Sequence, residues 1–518
     1  MNNMNKIYIN KVKQAGVKAF IMLLAPCSLL FASCNDWLDV RSETEAKEED
    51  MFTKKGGFKD ALTGIYLTMG DRAIYGENLT MGAVEELANL WYTPGNIYPD
   101  DLGLYYFEQH DYENINAKDL IKAIYGKLYN VAVQTNLLLK NLNEQGNNID
   151  DSQLRNVIEG EAYAIRAYVH FDLLRLFGQL PKSATVNVRL PYCETASIKE
   201  YPAYYAYNAF VQKVEQDLNQ AVSLLEKSDP VMDYSLSYYN NNEDMDSYLM
   251  YRRYRLNYWA VKALQARFYM YTGDATRAHS LAMEVINAKG RTDGESIVSL
   301  SGMTDLQNNC FALPHECLFA LSKYDLLDYT PSRYVGGGTS RVYVDGNDRP
   351  LTLAISETMF NELFAGVNVA SDNRYLYVWN RKAATSQNNP FPCIKKYWYD
   401  TKDDNVSSPT FNNLVIPMLR MSELYLIAIE TTTDLSEANS LWNTYQRSHN
   451  VLLTEDAFAS ISDVQPVVQA EFMRELFAEG QMFYYYKSHG SSQMKWRVPT
   501  VKESEYVLPL PDTEFESK

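Results

Sequence analysis

The chain has 518 residues, a formal net charge of −17, and 46% hydrophobic against 22% charged residues. This balance is typical of a folded protein with a large core. The acidic charge argues against nucleic acid or anionic lipid headgroups as the main partner. Tyrosine is unusually frequent, at 40 residues, and its apolar ring with a hydroxyl suits protein interfaces and sugar faces equally.

The first 34 residues have the features of an export signal. Four lysines precede an uncharged run over residues 19–32, and Cys34 follows closely. A run of about 14 residues is shorter than the ~20 that a membrane-spanning helix needs, so we expect residues 1–33 to be removed. Cleavage before Cys34 predicts a lipoprotein anchored by acyl chains on that cysteine, with the acidic residues just after it compatible with the outer membrane. Ordinary secretory cleavage and an uncleaved anchor remain alternatives.

Helices dominate the rest of the chain, because apolar residues recur at steps of three and four. The predicted helices cover residues 120–142, 161–178, 207–226, 256–272, 276–288, 418–430, 435–445 and 467–485. The second should end at Gly178 and Pro181. Small residues around the Gly273-Asp274 turn resemble a tetratricopeptide unit, so we expect stacked helix pairs interrupted by insertions.

Three aromatic, Gly- and Pro-rich insertions separate the helical groups, at about residues 70–115, 300–350 and 370–412. Such insertions are where a helical scaffold carries its binding surface. The candidate ligand-binding residues therefore come from them: Trp91, Tyr92, Asn96, Tyr98, Tyr334 and Tyr343. Their rings could stack on sugar faces, and packing against the helical core is the alternative for each. Trp259, Tyr269 and Trp442 lie inside predicted helices and are expected in the core.

No motif predicts catalysis. The six histidines form no HExxH or HxH pattern, which argues against a metallohydrolase. Glycosidases need two carboxylates held about 5–10 Å apart, whereas Glu85-Glu86 and Asp100-Asp101 are adjacent in the chain and are expected to be solvated acids. The Gly336-Gly337-Gly338 run lacks the lysine of a phosphate loop and is interpreted as a turn. We expect no enzyme and no cofactor, and the sequence leaves a bound cation undecided.

Four cysteines remain after the leader and Cys34: Cys193, Cys310, Cys317 and Cys393. They show no CxxC pair and no metal-type spacing. We interpret them as buried thiols, with a Cys310–Cys317 disulfide as the alternative.

One segment resembles a known family. Residues 161–178 read EAYAIRAYVHFDLLRLFG and are followed by Leu180-Pro181, similar to the signature helix of SusD/RagB-type outer-membrane nutrient-binding lipoproteins. Further similar segments fall in the expected order: CNDWLD at 34–39, RMSELYLIAIE at 420–430, RELFAEG at 474–480 and VLPLP at 507–511.

The resemblance implies a mostly α fold in residues 34–518, with tetratricopeptide-like helix pairs and an irregular, loop-rich, ligand-facing half. It also implies a lipid-anchored protein facing the cell exterior. Such a protein captures oligosaccharides for a SusC-type TonB-dependent transporter and does not cut them. Alternatives are peptide capture, an anchored hydrolase, and a surface adhesin or assembly scaffold that uses the helical repeats for protein contacts.

Overall fold

The computed structural model describes residues 50–91, 102–183, 187–197, 200–237, 246–334, 353, 355–381, 392–398 and 410–515. The chain divides into two units, Met1–Gly57 and Phe58–Lys518. Apart from the first turn of helix α1, the elements below belong to the second unit. Within the described ranges no helix is both long and apolar enough to cross a membrane.

Helices make up most of the described structure, as the sequence predicts. They are α1 Lys55–Met69, α2 Ala83–Leu87, α3 Leu102–Glu108, α4 Ile115–Gln145, α5 Ser152–Phe177, α6 Tyr207–Leu225, α7 Tyr258–Thr272, α8 Ala275–Ile286, α9 Thr304–Gln307, α10 Leu326–Tyr334, α11 Glu357–Leu363, α12 Met421–Thr431, α13 Leu435–Ser448, α14 Val464–Glu475 and α15 Met482–His489. Helix α5 packs against α4 and α6, α8 against α7 and α12, and α12 against α13 and α14. Successive helices therefore form the stacked array that the periodicity indicates.

Strands are short and antiparallel in the described residues. They are β1 Leu190–Tyr192, β2 Ala203–Tyr205, β3 Cys317–Ser322, β4 Trp379–Asn380, β5 Cys393–Ile394 and β6 Val415–Arg420. The pairs are β1 with β2, β3 with β6, and β4 with β5. In the β3–β6 pair, Cys317 lies opposite Arg420 and Ser322 opposite Val415. The prediction of a helix from residue 418 is wrong in its first turn, because Met418 to Arg420 complete β6 before α12 begins.

Local capping explains where several helices begin and end. The Asn257 side chain accepts a hydrogen bond from the backbone N–H of Ala260 at the start of α7. Gly273 ends α7 in the left-handed conformation with φ +90°, and Asp274 then caps α8. The Gly273-Asp274 turn is thus confirmed, since glycine adopts positive φ freely and aspartate is a strong N-cap.

The prediction of one helix over 467–485 is wrong, because the structure has two helices, α14 and α15. Gly480 lies between them with φ +72°, and a Cβ there would sit 2.3 Å from the carbonyl oxygen of Leu79. Its backbone N–H donates to the Glu85 carboxylate over 2.6 Å. The break therefore docks this part of the chain closely against the segment around α2.

The expectation that Glu85 and Glu86 are solvated is also wrong. Glu85 is 1% and Glu86 4% exposed. Burial raises the pKa of Glu85 to about 8, although the N–H of Gly480 favours its charged form. The pair belongs to the interior of the fold.

The polar residues of the signature segment, 161–178, are buried and paired. Arg166 makes a bidentate ion pair with Asp217 on α6, in which Nε and Nη2 donate to the two carboxylate oxygens at 2.7 and 2.6 Å. Asp172 accepts a hydrogen bond from the Tyr75 hydroxyl at 2.7 Å, and Glu161 accepts one from Tyr66 at 2.8 Å. Charged hydrogen bonds of this kind are strong and directional. These side chains therefore fix α5 against α6 and the N-terminal helices.

The remaining core predictions are confirmed. Trp259, Tyr269 and Trp442 are 8%, 5% and 6% exposed. Cys193, Cys310, Cys317 and Cys393 are buried, and no disulfide joins any two of them, so Cys310 and Cys317 are thiols.

Candidate functional site

Four of the six predicted ligand-binding residues lie outside the described residues: Tyr92, Asn96, Tyr98 and Tyr343. Cys34, the predicted lipidation site, lies outside them as well. The structure describes only Trp91 and Tyr334 of the predicted set.

The structure places Trp91 and Tyr334 in the core, at 3% and 0% exposure. Their ring centroids are 5.8 Å apart, and Phe477 packs on the Trp91 ring at 5.0 Å. The indole N–H donates to the carbonyl oxygen of Met81 at 3.0 Å. Both rings are already covered on packed faces, so neither presents a surface on which a sugar could stack. Both side chains are therefore core residues of the fold.

A polar cluster ties the turn after α1 to α10. The two oxygens of Glu77 pair with the Nε atoms of Arg72 and Arg333, each at 2.6 Å. The Arg72 guanidinium also lies over the Tyr329 ring, 4.5 Å from its centroid. With its side chain 49% exposed, Arg72 is the member of this cluster most open to solvent.

The structure also has a wide groove of about 800 Å³. Its walls come from α1, the segment 247–255, the end of β3, and Phe411. Its lining residues are Lys59, Thr63, Tyr66, Leu67, Ser247, Tyr248, Met250, Tyr251, Tyr254, Arg255, Leu321, Ser322, Tyr324 and Phe411. We call it the aromatic groove, because five tyrosines and one phenylalanine line it.

Three of these rings are strongly exposed. Tyr324 is 80%, Tyr251 60% and Phe411 50% exposed. The half-buried Tyr254 supports Phe411 edge to face, with ring centroids 4.5 Å apart. Large exposed rings held by a rigid neighbour form a platform for the apolar C–H faces of sugar rings.

Fixed polar groups accompany the rings. The guanidinium of Arg255 lies 4.0 Å from the Tyr248 ring centroid, and its Nη1 donates to the Tyr248 hydroxyl at 2.5 Å. Lys59 is held by Asp246 at 2.5 Å. Burial raises the pKa of Tyr248 to about 12, and likewise that of Tyr254. Both hydroxyls therefore stay neutral at ordinary pH and can donate as well as accept hydrogen bonds.

The local sequence explains this arrangement. Residues 248–255 read YLMYRRYR, a run of tyrosine and arginine between α6 and α7. Tyr251 takes the left-handed conformation with φ 54° and ψ 41°, just before the 3-10 turn Arg252–Tyr254. For a residue other than glycine this conformation costs about 1–2 kcal/mol and is concentrated at functional sites. The density of tyrosine and arginine was the signal that could have identified this segment from sequence.

The described residues lining the aromatic groove include no Asp or Glu. Glycoside hydrolysis needs two carboxylates flanking the bond. The described walls of the groove thus supply rings, hydroxyls and cations, which are binding groups, and offer no carboxylate pair.

A second groove of about 580 Å³ lies near the β1–β2 hairpin. Tyr201 and Tyr204 line it and are 66% and 39% exposed. The Tyr204 hydroxyl is already engaged by Glu514. This groove is smaller and has fewer exposed rings, so the aromatic groove is the stronger candidate.

His449, Glu471 and Glu475 could offer three ligand atoms to a cation, all within 4.8 Å of one another. Arg374 already pairs with both glutamates. Burial and that guanidinium lower the pKa of His449 to about 4, so the imidazole is neutral at ordinary pH. The carboxylates are neutralised by arginine, and the cluster is explained without a metal.

Comparison with known proteins agrees with the fold described. Residues 36–270 match a SusD-like family model described as "Starch-binding associating with outer membrane". No curated protein is similar enough in sequence to count as a relative.

Solved structures resemble the chain over most of its length. A SusD superfamily protein from Bacteroides thetaiotaomicron is 20% identical, covers 89% of this chain and 97% of its own, and has a TM-score of 0.64. A SusD superfamily protein from Bacteroides vulgatus is 18% identical, with coverages of 88% and 96% and a TM-score of 0.62. A laminarin-binding SusD-like protein is 17% identical, with coverages of 89% and 97% and a TM-score of 0.62. At these identities the likeness concerns the fold.

Proposed function

We propose that this chain, whose residues 36–270 match a SusD-like family model, captures oligosaccharides at the cell surface. It binds them without cleaving them and passes them to a SusC-type TonB-dependent transporter in the outer membrane. A lipid on Cys34 holds it there. These finer features follow the sequence resemblance and the description of the matched family.

The observation that carries the proposal is the aromatic groove. Tyr251, Tyr324 and Phe411 expose large ring faces, and Arg255 and Tyr248 supply donors held in place by their mutual contact. Sugars combine apolar C–H faces with hydroxyl groups, so they need this mixture of flat rings and fixed polar groups. A volume of about 800 Å³ accommodates several sugar units and not only one.

Two further observations support a glycan. A structural neighbour binds laminarin, and the matched family model is described as starch-binding. Modest affinity is sufficient for capture, because a tethered protein beside its transporter works at a high effective concentration.

The test is a glycan and peptide binding screen on the soluble fragment that begins after Cys34, with product release measured in parallel. Phe411→Ala and Tyr251→Ala should each weaken binding of the glycan that scores in the screen by about 10-fold, since each removes a stacking ring. Tyr201→Ala is the matched control, because that tyrosine is equally exposed, at 66%, but lines the second groove.

Binding without products, lost in the Phe411 and Tyr251 variants but kept in the Tyr201 variant, supports the proposal. If only the Tyr201 variant lost glycan binding, the binding site would be assigned to the second groove. Release of shortened products would show a hydrolase. Binding of peptides alone would replace glycan by peptide, and retention of a surface protein with no ligand binding would favour the adhesin or scaffold alternative.

A further inference from the structure

A smaller cavity of about 260 Å³ opens beside the aromatic groove. The two share Met250, Tyr251, Tyr254 and Phe411 as lining residues. Ligand pockets for drug-sized molecules are usually about 300–1,000 Å³. A cavity of this size therefore suits one end or one substituent of a longer ligand lying in the aromatic groove.

Arg253 lines this cavity and is only 8% exposed. Its Nε and Nη2 atoms are buried and have no hydrogen-bond partner. Among the described residues, no carboxylate lies within ion-pair distance of its guanidinium. The positive charge is thus nearly enclosed and unpaired.

The neighbouring Arg252 shows how the fold treats an arginine that serves structure. Its guanidinium binds both oxygens of Asp229, at 2.9 and 2.8 Å, and it also pairs with Glu161. Two adjacent arginines in one 3-10 turn therefore have opposite environments. Arg252 is saturated by acids of the core, and Arg253 is left open toward the cavity.

The acids around the cavity do not supply the missing partner. Asp229 is occupied by Arg252 and by the backbone N–H of Tyr258, at 2.9 Å. Asp305 accepts from Ser301 and from the backbone N–H of His315, and it also pairs with the His315 ring. His315 itself lines the cavity. The described groups facing the space are therefore cationic or neutral.

A buried charge without a partner is costly, because the lost hydration is not replaced. The planar guanidinium presents paired N–H donors that match the oxygens of carboxylate or sulfate. An oxyanion on the ligand would satisfy the buried donors and neutralise the charge. Neutral sugar hydroxyls would satisfy only the donors.

We infer that this cavity is an anion subsite, in which Arg253 binds the carboxylate or sulfate group of an acidic glycan whose chain lies in the aromatic groove. The inference rests on the proposed glycan capture and narrows its substrate class to uronate-bearing or sulfated oligosaccharides. Tyr251, at the shared mouth of the two spaces, stacks on the sugar ring next to the charged group.

The experiment measures binding of matched glycan pairs by calorimetry to the soluble fragment that begins after Cys34. One pair is hexagalacturonate and its fully methyl-esterified form, and the other is a carrageenan oligosaccharide and its desulfated form. Within each pair the sugar chain is kept and the charge is removed. The two pairs distinguish carboxylate from sulfate.

Wild-type protein should bind at least one acidic probe about 10-fold or more tightly than its neutral counterpart, and Arg253→Gln should abolish that difference. Tyr251→Ala should weaken both members of the pair. Arg253→Gln should leave the thermal unfolding temperature unchanged or raised, because it removes an unpaired buried charge. Arg253→Met serves as a second variant that fills the same space without donors.

Three results would overturn the inference: equal binding of both members of each pair, an acidic preference that survives Arg253→Gln and Arg253→Met, or unfolding of both variants. If neutral glycans still bind through Tyr251 and Phe411, the anion subsite fails and glycan capture stands. If no glycan of either pair or of the wider screen binds, capture itself fails.

Discussion

The sequence-based prediction and the structure differ most at Trp91. As a ligand-stacking residue it would be dispensable for folding, and replacement by alanine would mainly reduce glycan binding. In the structure it is 3% exposed and packs on Tyr334 and Phe477. The structure therefore predicts that Trp91→Ala destabilises the protein.

The magnitude follows from what the substitution removes. Truncating a buried Trp to Ala typically costs about 3–5 kcal/mol, from lost burial and the cavity left behind. The hydrogen bond from the indole N–H to the Met81 carbonyl, at 3.0 Å, contributes about 1 kcal/mol within that range. We expect a loss of about 4 kcal/mol for Trp91→Ala and about 2 kcal/mol for Trp91→Phe, which keeps a ring but not the donor.

The assay is urea unfolding of the soluble fragment, followed by circular dichroism, with glycan binding measured on the same samples at low temperature. Tyr251→Ala is the control, because a 60% exposed ring should cost less than about 0.5 kcal/mol on removal. A loss below about 1 kcal/mol for Trp91→Ala, together with a tenfold loss of binding, would refute the core assignment.

Three other perturbations test the interior. Burial holds the pKa of Glu85 at about 8 against an ordinary 4.5, so the folded state keeps a proton that the unfolded chain releases. The free energy of unfolding of the wild type, measured by urea unfolding, should therefore fall by up to about 5 kcal/mol between pH 4.5 and pH 8 relative to that of Glu85→Gln. If the free energies of unfolding of the two proteins changed in parallel with pH, this prediction would be contradicted. Gly480→Ala should lower the free energy of unfolding by about 2 kcal/mol or more, since its Cβ would lie 2.3 Å from the Leu79 oxygen. Gly273→Ala is the control and should lower it by only about 1 kcal/mol, because there is open space around that residue. Equal losses for the two variants would show that the clash at Gly480 does not occur. Reductant should leave the unfolding temperature of the soluble fragment unchanged, because no disulfide joins the four described cysteines; a drop would reveal a disulfide.

The helical scaffold could be predicted from the sequence because its signals are local. The spacing of apolar side chains located the long helices, and the Gly273-Asp274 turn marked the junction of α7 and α8. The signature segment, 161–178, also carried the resemblance to SusD/RagB-type proteins before any contact was known. Its polar residues proved to be paired within the fold, as Arg166 is with Asp217.

The candidate site could be predicted only in part. Aromatic density in the insertions pointed to ring stacking and to Trp91 and Tyr334, yet those two rings are buried. The exposed rings Tyr251 and Phe411 were not selected, although the tyrosine- and arginine-rich run 248–255 was visible in the sequence.

The sequence by itself determined most of the helices and the Gly273-Asp274 turn between α7 and α8, since these depend on residues a few positions apart. Tertiary structure decided which polar and aromatic side chains face solvent. Glu85 is buried because Gly480, almost 400 residues later, docks against it. Arg252 is saturated and Arg253 is open because Asp229 and Glu161 meet only one of two adjacent guanidinium groups. Burial and pairing depend on segments distant in the chain, and no local pattern encodes which of them will meet.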